Sequence, residues 1–260
     1  GYANVTALYM LLGIVLTVKN MLTARKRILY SICIFLLMCG LILTYSRGVW
    51  ILLFIFSIWL MFYPFSHRHA LQYFKILYLY ILLVSCMVSV ALASCNSVFG
   101  SVCLLAVGIF LCALPDCIKQ FFCRRAVKIS MIAVLPILHL FSNPIYNRIK
   151  EIRIDATEWA ARMAYYKGAF YLIADYPLWG SGGGGWMLLS EDYASDYVKY
   201  IHNYYLQILA DIGLIGFAAF SIFIINTLWI YIKKANDKIF HLILLCVILL
   251  HSFIDIGMHF

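Results

Sequence analysis

Residues 71–93 read LQYFKILYLYILLVSCMVSVALA, with Lys75 as the one charge. A run of that length covers a hydrocarbon core of about 30 Å when it is helical. Lipid offers backbone amides no partner, so such a run must satisfy its hydrogen bonds internally. Comparable runs recur from end to end. They are predicted at 2–18, 28–45, 48–65, 71–93, 98–114, 127–141, 203–232 and 239–260, about eight spans on the length criterion. The sixth is short and carries Pro136, which predicts a tilt or kink. The alternating pattern of a membrane barrel is absent. The fold class is all-α, a polytopic transmembrane bundle.

Composition agrees. Apolar residues make up 65% of the chain and charged residues 12%, with a mean hydropathy of +0.94. Soluble domains carry about 25% charge. The net charge of +9 comes from short basic clusters between apolar runs, which points to topology and to no nucleic-acid partner. Most cysteines (Cys33, Cys39, Cys86, Cys103, Cys112 and Cys246) lie inside apolar runs, as small hydrophobes do. Cys117 and Cys123 flank a basic loop without metal-ligand spacing. The chain opens at Gly1 with no charged leader, and further helices are expected upstream.

Loop charges alternate. Lys19, Arg25, Lys26 and Arg27 fill the first loop, and the second has only Arg47. Arg68 and Lys75 mark the third, and the fourth has no charge. Lys119, Arg124, Arg125 and Lys128 dominate the fifth. The sixth is the polar interval 142–202, and Lys233, Lys234 and Lys238 follow it in the seventh. Positive charge favours the cytoplasmic side. Arg47, the long interval and the end of the chain are therefore expected outside the cytoplasm, provided the sixth run spans. The organisation read from this is 1–141 with six spans, 142–202 as an extracytoplasmic loop, and 203–260 with two more.

Several polar residues could carry chemistry. Arg47, in the turn Thr44-Tyr45-Ser46-Arg47-Gly48, is either an interfacial anchor or a bidentate phosphate contact. In the long interval, 151–176 reads as an amphipathic helix with an apolar stripe of Trp159, Met163, Tyr166, Phe170 and Ile173, ended by Pro177. Arg162 on it could simply pair with Glu158 at i,i+4, and Arg153 and Asp155 lie nearby. The glycines after Gly180 lack a P-loop ending, and Trp186 stands where that motif would open a helix. A flexible turn or close backbone approach fits them better. His202 sits where the chain re-enters the membrane. Asn203, Gln207 and Asp211 follow as a polar stripe at i, i+4 and i+8, expected to face protein or water. Gly213 and Gly216 would then permit close helix approach. His251, Asp255 and His259 share the same spacing. A metal there is conceivable but has no tight ligand cluster, and an Asp orienting another residue is simpler.

Taken in order, Tyr45-Ser46-Arg47-Gly48, Ala161-Arg162-Met163-Ala164-Tyr165-Tyr166, Pro177-Leu178-Trp179-Gly180-Ser181-Gly182, His202-Asn203-Tyr204-Tyr205-Leu206-Gln207, Gly213-Leu214-Ile215-Gly216 and His251-Ser252-Phe253-Ile254-Asp255 resemble the O-antigen ligase and O-antigen polymerase superfamily of bacterial membrane glycan transferases. Tyr2-Ala3-Asn4 is similar to the segment that precedes them, and the resemblance is fullest over 44–260. It implies a GT-C-like enzyme of the bacterial cytoplasmic membrane, with its active face extracytoplasmic. The donor would be an undecaprenyl-diphosphate-linked glycan, and the acceptor a hydroxyl on a glycan, lipid or protein. No metal or other cofactor is implied. Carried over, Arg47 and Arg162 would hold the diphosphate and His202 would be catalytic, with Asp255 and Asn203 supporting. The competing class is a flippase or transporter of a lipid-linked glycan. It would favour midplane charges and repeated halves, and no repeat is evident.

Overall fold

The computed structural model describes residues 3–24, 27–62, 68–95, 97–114, 156–194, 197–233, 235–253 and 255. The regular elements among them are all α-helices. The chain divides into two compact units, Gly1–Ile152 and Arg153–Phe260, a boundary inside the interval read as one loop. The sixth expected span, Arg153 and His259 lie outside the described residues. Among the described residues, three helices are long and apolar enough to cross a membrane, Ala3–Leu22, Phe74–Ala93 and Tyr204–Lys233; Ile28–Leu43, Arg47–Phe62, Val98–Ala113 and Lys238–His251 are shorter apolar helices.

The first unit contains α1 (Ala3–Thr23), α2 (Ile28–Leu43), α3 (Arg47–Phe62), α4 (Arg68–Ala93) and α5 (Val98–Ala113). Helix α2 is central and packs against the other four. Ser31, Ile34, Phe35, Met38, Cys39 and Leu41 bury a stripe at helical spacing. Its one hydroxyl is satisfied locally: Ser31 Oγ donates to the Arg27 carbonyl at 3.0 Å, the i−4 arrangement that makes a hydroxyl tolerable in an apolar bundle. Between α3 and α4, the buried Ser57 and Tyr78 hydroxyls share a hydrogen bond of 2.8 Å. The break before α5 has a cap: Ser97 Oγ accepts from the Gly100 amide at 3.3 Å. Of the cysteines placed inside apolar runs, Cys86 and Cys103 lie on the exposed side of their helices, and Cys39 and Cys112 are buried.

The second unit contains α6 (Ala156–Asp175), α7 (Gly185–Ala194), α8 (Tyr204–Lys233) and α9 (Ala235–His251). Its core is Ala169, Leu172, Trp186, Ala194, Ile201 and Ala210, with Tyr165, Tyr166 and Ile173 against it. The expected stripe is therefore rotated. Tyr166 and Ile173 face inward, but Met163 and Phe170 are exposed, and the Trp159 side chain is outside the described residues. The reason is steric. A Cβ on Gly168 would come within 2.8 Å of the Tyr193 carbonyl, so α6 and α7 cross at their small residues and the large Phe170 turns out. Helix α7, which sequence reading omitted, opens at Gly185, the last residue of the glycine run.

The glycine run is locked into α8. Helix α8 is kinked at Gly213 (φ 67, ψ −172), a backbone region open almost only to glycine. A continuous helix would bond the Leu214 amide to the Ala210 carbonyl and the Ile215 amide to the Asp211 carbonyl. The turn 177–182 is inserted into both bonds instead. Ser181 and Gly182 amides donate to the Ala210 and Asp211 carbonyls at 2.8 and 3.0 Å, and the Leu214 and Ile215 amides donate to the Pro177 and Leu178 carbonyls at 2.9 and 3.3 Å. Two helical bonds become four interlocking ones, so the Ala210 and Asp211 carbonyls and the Leu214 and Ile215 amides all keep partners. Gly180 (φ 72) and Gly213 are the crossing point: a Cβ on Gly180 would sit 2.5 Å from the Asp211 carbonyl, and one on Gly213 would sit 2.5 Å from the Gly180 nitrogen. Gly213 thus admits a turn where a neighbouring helix was expected, and Gly216 meets the Ile212 side chain of its own helix.

Candidate active site

The polar residues of the second unit gather where α8 begins and α9 ends. The Tyr204 amide donates to the Ser252 carbonyl at 2.9 Å, and Tyr205 Oη donates to the Leu249 carbonyl at 2.9 Å. The Tyr205 and Phe253 rings pack with centroids 4.4 Å apart. These contacts fix the entry to α8 on the exit from α9. Asp255 lies past the described end of α9 in a further turn, its amide bonded to the His251 carbonyl at 3.0 Å. This i to i−4 bond keeps Asp255 one helical turn beyond His251.

His202 precedes α8 in a left-handed conformation, φ 59. A non-glycine residue held there costs roughly 1–2 kcal/mol, and the surroundings hold it from three sides. Its carbonyl accepts from Tyr166 Oη at 3.3 Å. The preceding Ile201 amide donates to Gln207 Oε1 at 3.2 Å. Its ring faces Asp255, Nδ1 to Oδ1 at 3.3 Å, with the carboxylate 1% exposed and the imidazole 27% exposed. A carboxylate at Nδ1 favours the tautomer with the proton there, which leaves Nε2 as an acceptor. The arrangement is a partly exposed histidine whose ring is oriented by a buried acid.

Arg162 joins this group through Tyr166, four residues further along α6. Its guanidinium hydrogen-bonds the Tyr166 phenol. Burial pushes the Tyr166 phenol up from its ordinary value, Arg162 opposes the shift, and Asp255 adds to it. The phenol therefore stays neutral and able to donate to the His202 carbonyl. Tyr166 links Arg162, His202 and Asp255, and sequence reading had assigned it only to an apolar stripe. The side chain of Glu158, the alternative partner of Arg162, lies outside the described residues.

The polar stripe on α8 splits into two roles. Asn203 is the N-cap: its Oδ1 accepts from the Tyr205 and Leu206 amides at 3.0 and 3.2 Å. Gln207 is 3% exposed, and its Nε2 donates to both Asp211 carboxylate oxygens at 3.2 Å. Gln207 thus bridges the residue before His202 to the kink of α8, a role signalled in the sequence only by a polar residue inside an apolar run.

Arg47 belongs to the first unit and opens α3 after a turn with Tyr45 at φ 56. Thr44 Oγ1 accepts from the Ser46 amide at 3.3 Å, and Trp50 Nε1 donates to the Leu41 carbonyl at 3.4 Å. A cation at a helix N-terminus opposes the helix dipole. Together, guanidinium and helix end form an environment suited to an anion. No group of three metal-ligating side chains occurs among the described residues.

Apolar helices of spanning length define a helical membrane protein, and its second unit holds a histidine–carboxylate pair joined through Tyr166 to an arginine. The chain belongs to the O-antigen ligase family, whose sequence profile (Wzy_C) matches residues 32–221. That interval contains Arg47, Arg162, His202 and Asn203 and stops before Asp255. Neither curated proteins nor solved structures gave a significant match. Membership makes the chain an enzyme of glycan transfer, of ligase or polymerase type, working with a lipid-linked donor and an acceptor in the membrane.

Proposed function

We propose that this protein transfers a glycan from undecaprenyl diphosphate to an acceptor hydroxyl on the extracytoplasmic face of the bacterial cytoplasmic membrane, with His202 as general base. The observation that carries the reading is the His202 Nδ1–Asp255 contact, which leaves Nε2 open. In the step, the acceptor oxygen attacks the anomeric carbon and gives its proton to Nε2. The bond from that carbon to the phosphate oxygen breaks, and the lipid diphosphate leaves with the electron pair. The leaving group is already activated, so the enzyme's task is to orient a hydroxyl and neutralise phosphate charge. Arg162, held by Tyr166, and Arg47, at the start of α3, supply that charge. The reaction takes no metal or other cofactor.

The test is transfer in membranes from a lipid-diphosphate glycan to candidate acceptors, followed by release of undecaprenyl diphosphate. His202→Ala is expected to lower transfer by about 10²–10⁴-fold, the usual contribution of a general base. Arg162→Ala is expected to lower it more than Arg162→Lys, because a point charge does not replace a planar fork. Unchanged transfer in a folded His202→Ala protein overturns the reading. Sidedness is tested separately: a cysteine at the exposed Glu191 should be labelled from outside intact cells above the wild-type background, and one at the exposed Asn20 only after permeabilisation.

A further inference from the structure

Burial along α8 stops at its kink. The buried residues are Gln207, Ile208, Ala210 and Gly213, and none of the twenty residues after Gly213 is among them. Much of that stretch is apolar and bare: Leu214, Ile215, Ile222, Phe223, Ile225, Trp229, Ile230 and Ile232 are all exposed. The helix has 30 residues, about 45 Å at 1.5 Å each, which exceeds a hydrocarbon core of about 30 Å. Its basic end is marked by Lys233, whose ammonium lies 4.7 Å from the Trp229 ring centre, an aromatic–basic pairing suited to a membrane interface. Counting about 20 residues back from Lys233 places the opposite boundary at Gly213, the point where protein burial ends.

The turn 177–182 is hydrogen-bonded into α8 at this level, and it carries two large apolar side chains outward. Leu178 is 55% exposed and Trp179 is 74% exposed, although the Leu178 carbonyl is bound to the Ile215 amide. Indole is the side chain that favours the headgroup level of a bilayer. We infer that Leu178 and Trp179 insert into the membrane interface opposite Lys233, so that the turn moors α6 and α7 on the lipid surface. The occupant of this apolar patch is lipid, because the patch continues the bare face of a helix of spanning length. The first nine residues of α8, with Gln207 and Asp211, stand above the hydrocarbon. The inference is independent of which side of the membrane is involved and of the role of His202.

The test uses the protein carrying 5-fluorotryptophan in lipid nanodiscs, read by fluorine NMR. The Trp179 resonance is assigned by its loss in Trp179→Phe, or in Trp179→Tyr if the first variant folds poorly. Nitroxide at acyl carbon 5 of the lipid should broaden Trp179 and leave the fully buried Trp186 nearly unaffected, and a water-soluble gadolinium chelate should spare both. Broadening of Trp179 by the chelate without broadening by the lipid label overturns the inference, because the turn would then stand in water. Protection from both agents overturns it as well, because protein would then cover the patch.

Discussion

Glycine serves opposite purposes in the two units. In the first, Gly40 of α2 faces Met10: an added Cβ would meet its methyl carbon at 2.8 Å, the loose end of a flexible side chain. Gly108 of α5 faces the ring of Phe35. Those glycines make room for side chains, as small residues do between membrane helices. In the second unit, Gly180 and Gly213 face each other's backbone and hold positive φ. Backbone cannot step aside. The first unit is a packed bundle that tolerates adjustment, and the second is a joint whose parts have one arrangement.

The sharpest way to break that contrast is Gly213→Ala. The residue occupies a conformation nearly closed to side chains, and its Cβ would press on the turn, so the expected loss is about 3 kcal/mol or more. Protease resistance of the second unit and transfer activity should fall together. Gly180→Ala should behave alike, and the double variant should cost less than the sum because both open the same interlock. Gln207→Leu comes next. It strands the Ile201 amide in a buried site, for about 1–3 kcal/mol, and lowers transfer through the loop that carries His202. Asn203→Ala removes an N-cap, for about 1 kcal/mol. Gly40→Ala should be smallest, within about 1 kcal/mol in denaturant unfolding, since gained helix propensity offsets displacement of Met10. A large loss there would dissolve the distinction between the units.

The all-α class was legible because uninterrupted apolar runs leave few alternatives. The breaks before α3 and α5 were legible because Arg47 and the polar stretch around Cys95 interrupt the apolar runs. The four candidate residues of the second unit were separately visible as isolated polar groups on hydrophobic sequence. The joint was not. Helical periodicity is blind to a backbone segment inserted between residues 210 and 215, and it treats Gly213 as one more small residue. Tyr166 was missed for a related reason: a tyrosine on an apolar face reads as core until its hydroxyl is seen at the His202 carbonyl. Gln207 was visible as part of a stripe, but its acceptor, the Ile201 amide, lies off the helix altogether.

The interlock also bears on the order in which the chain folds. Helices elongate in nanoseconds per residue, far faster than a distant turn can dock. A nascent α8 therefore tends to close its own ladder through residues 210–215 before 177–182 arrives. Gly213 is the weak rung that lets the turn in, since glycine costs about 1 kcal/mol relative to alanine inside a helix. An alanine there acts on both sides of the competition: it strains the jointed form and strengthens a straight helix that has no place for the turn. Its product is a rival conformation as well as a less stable protein, and the glycine works as a folding instruction in addition to a hinge.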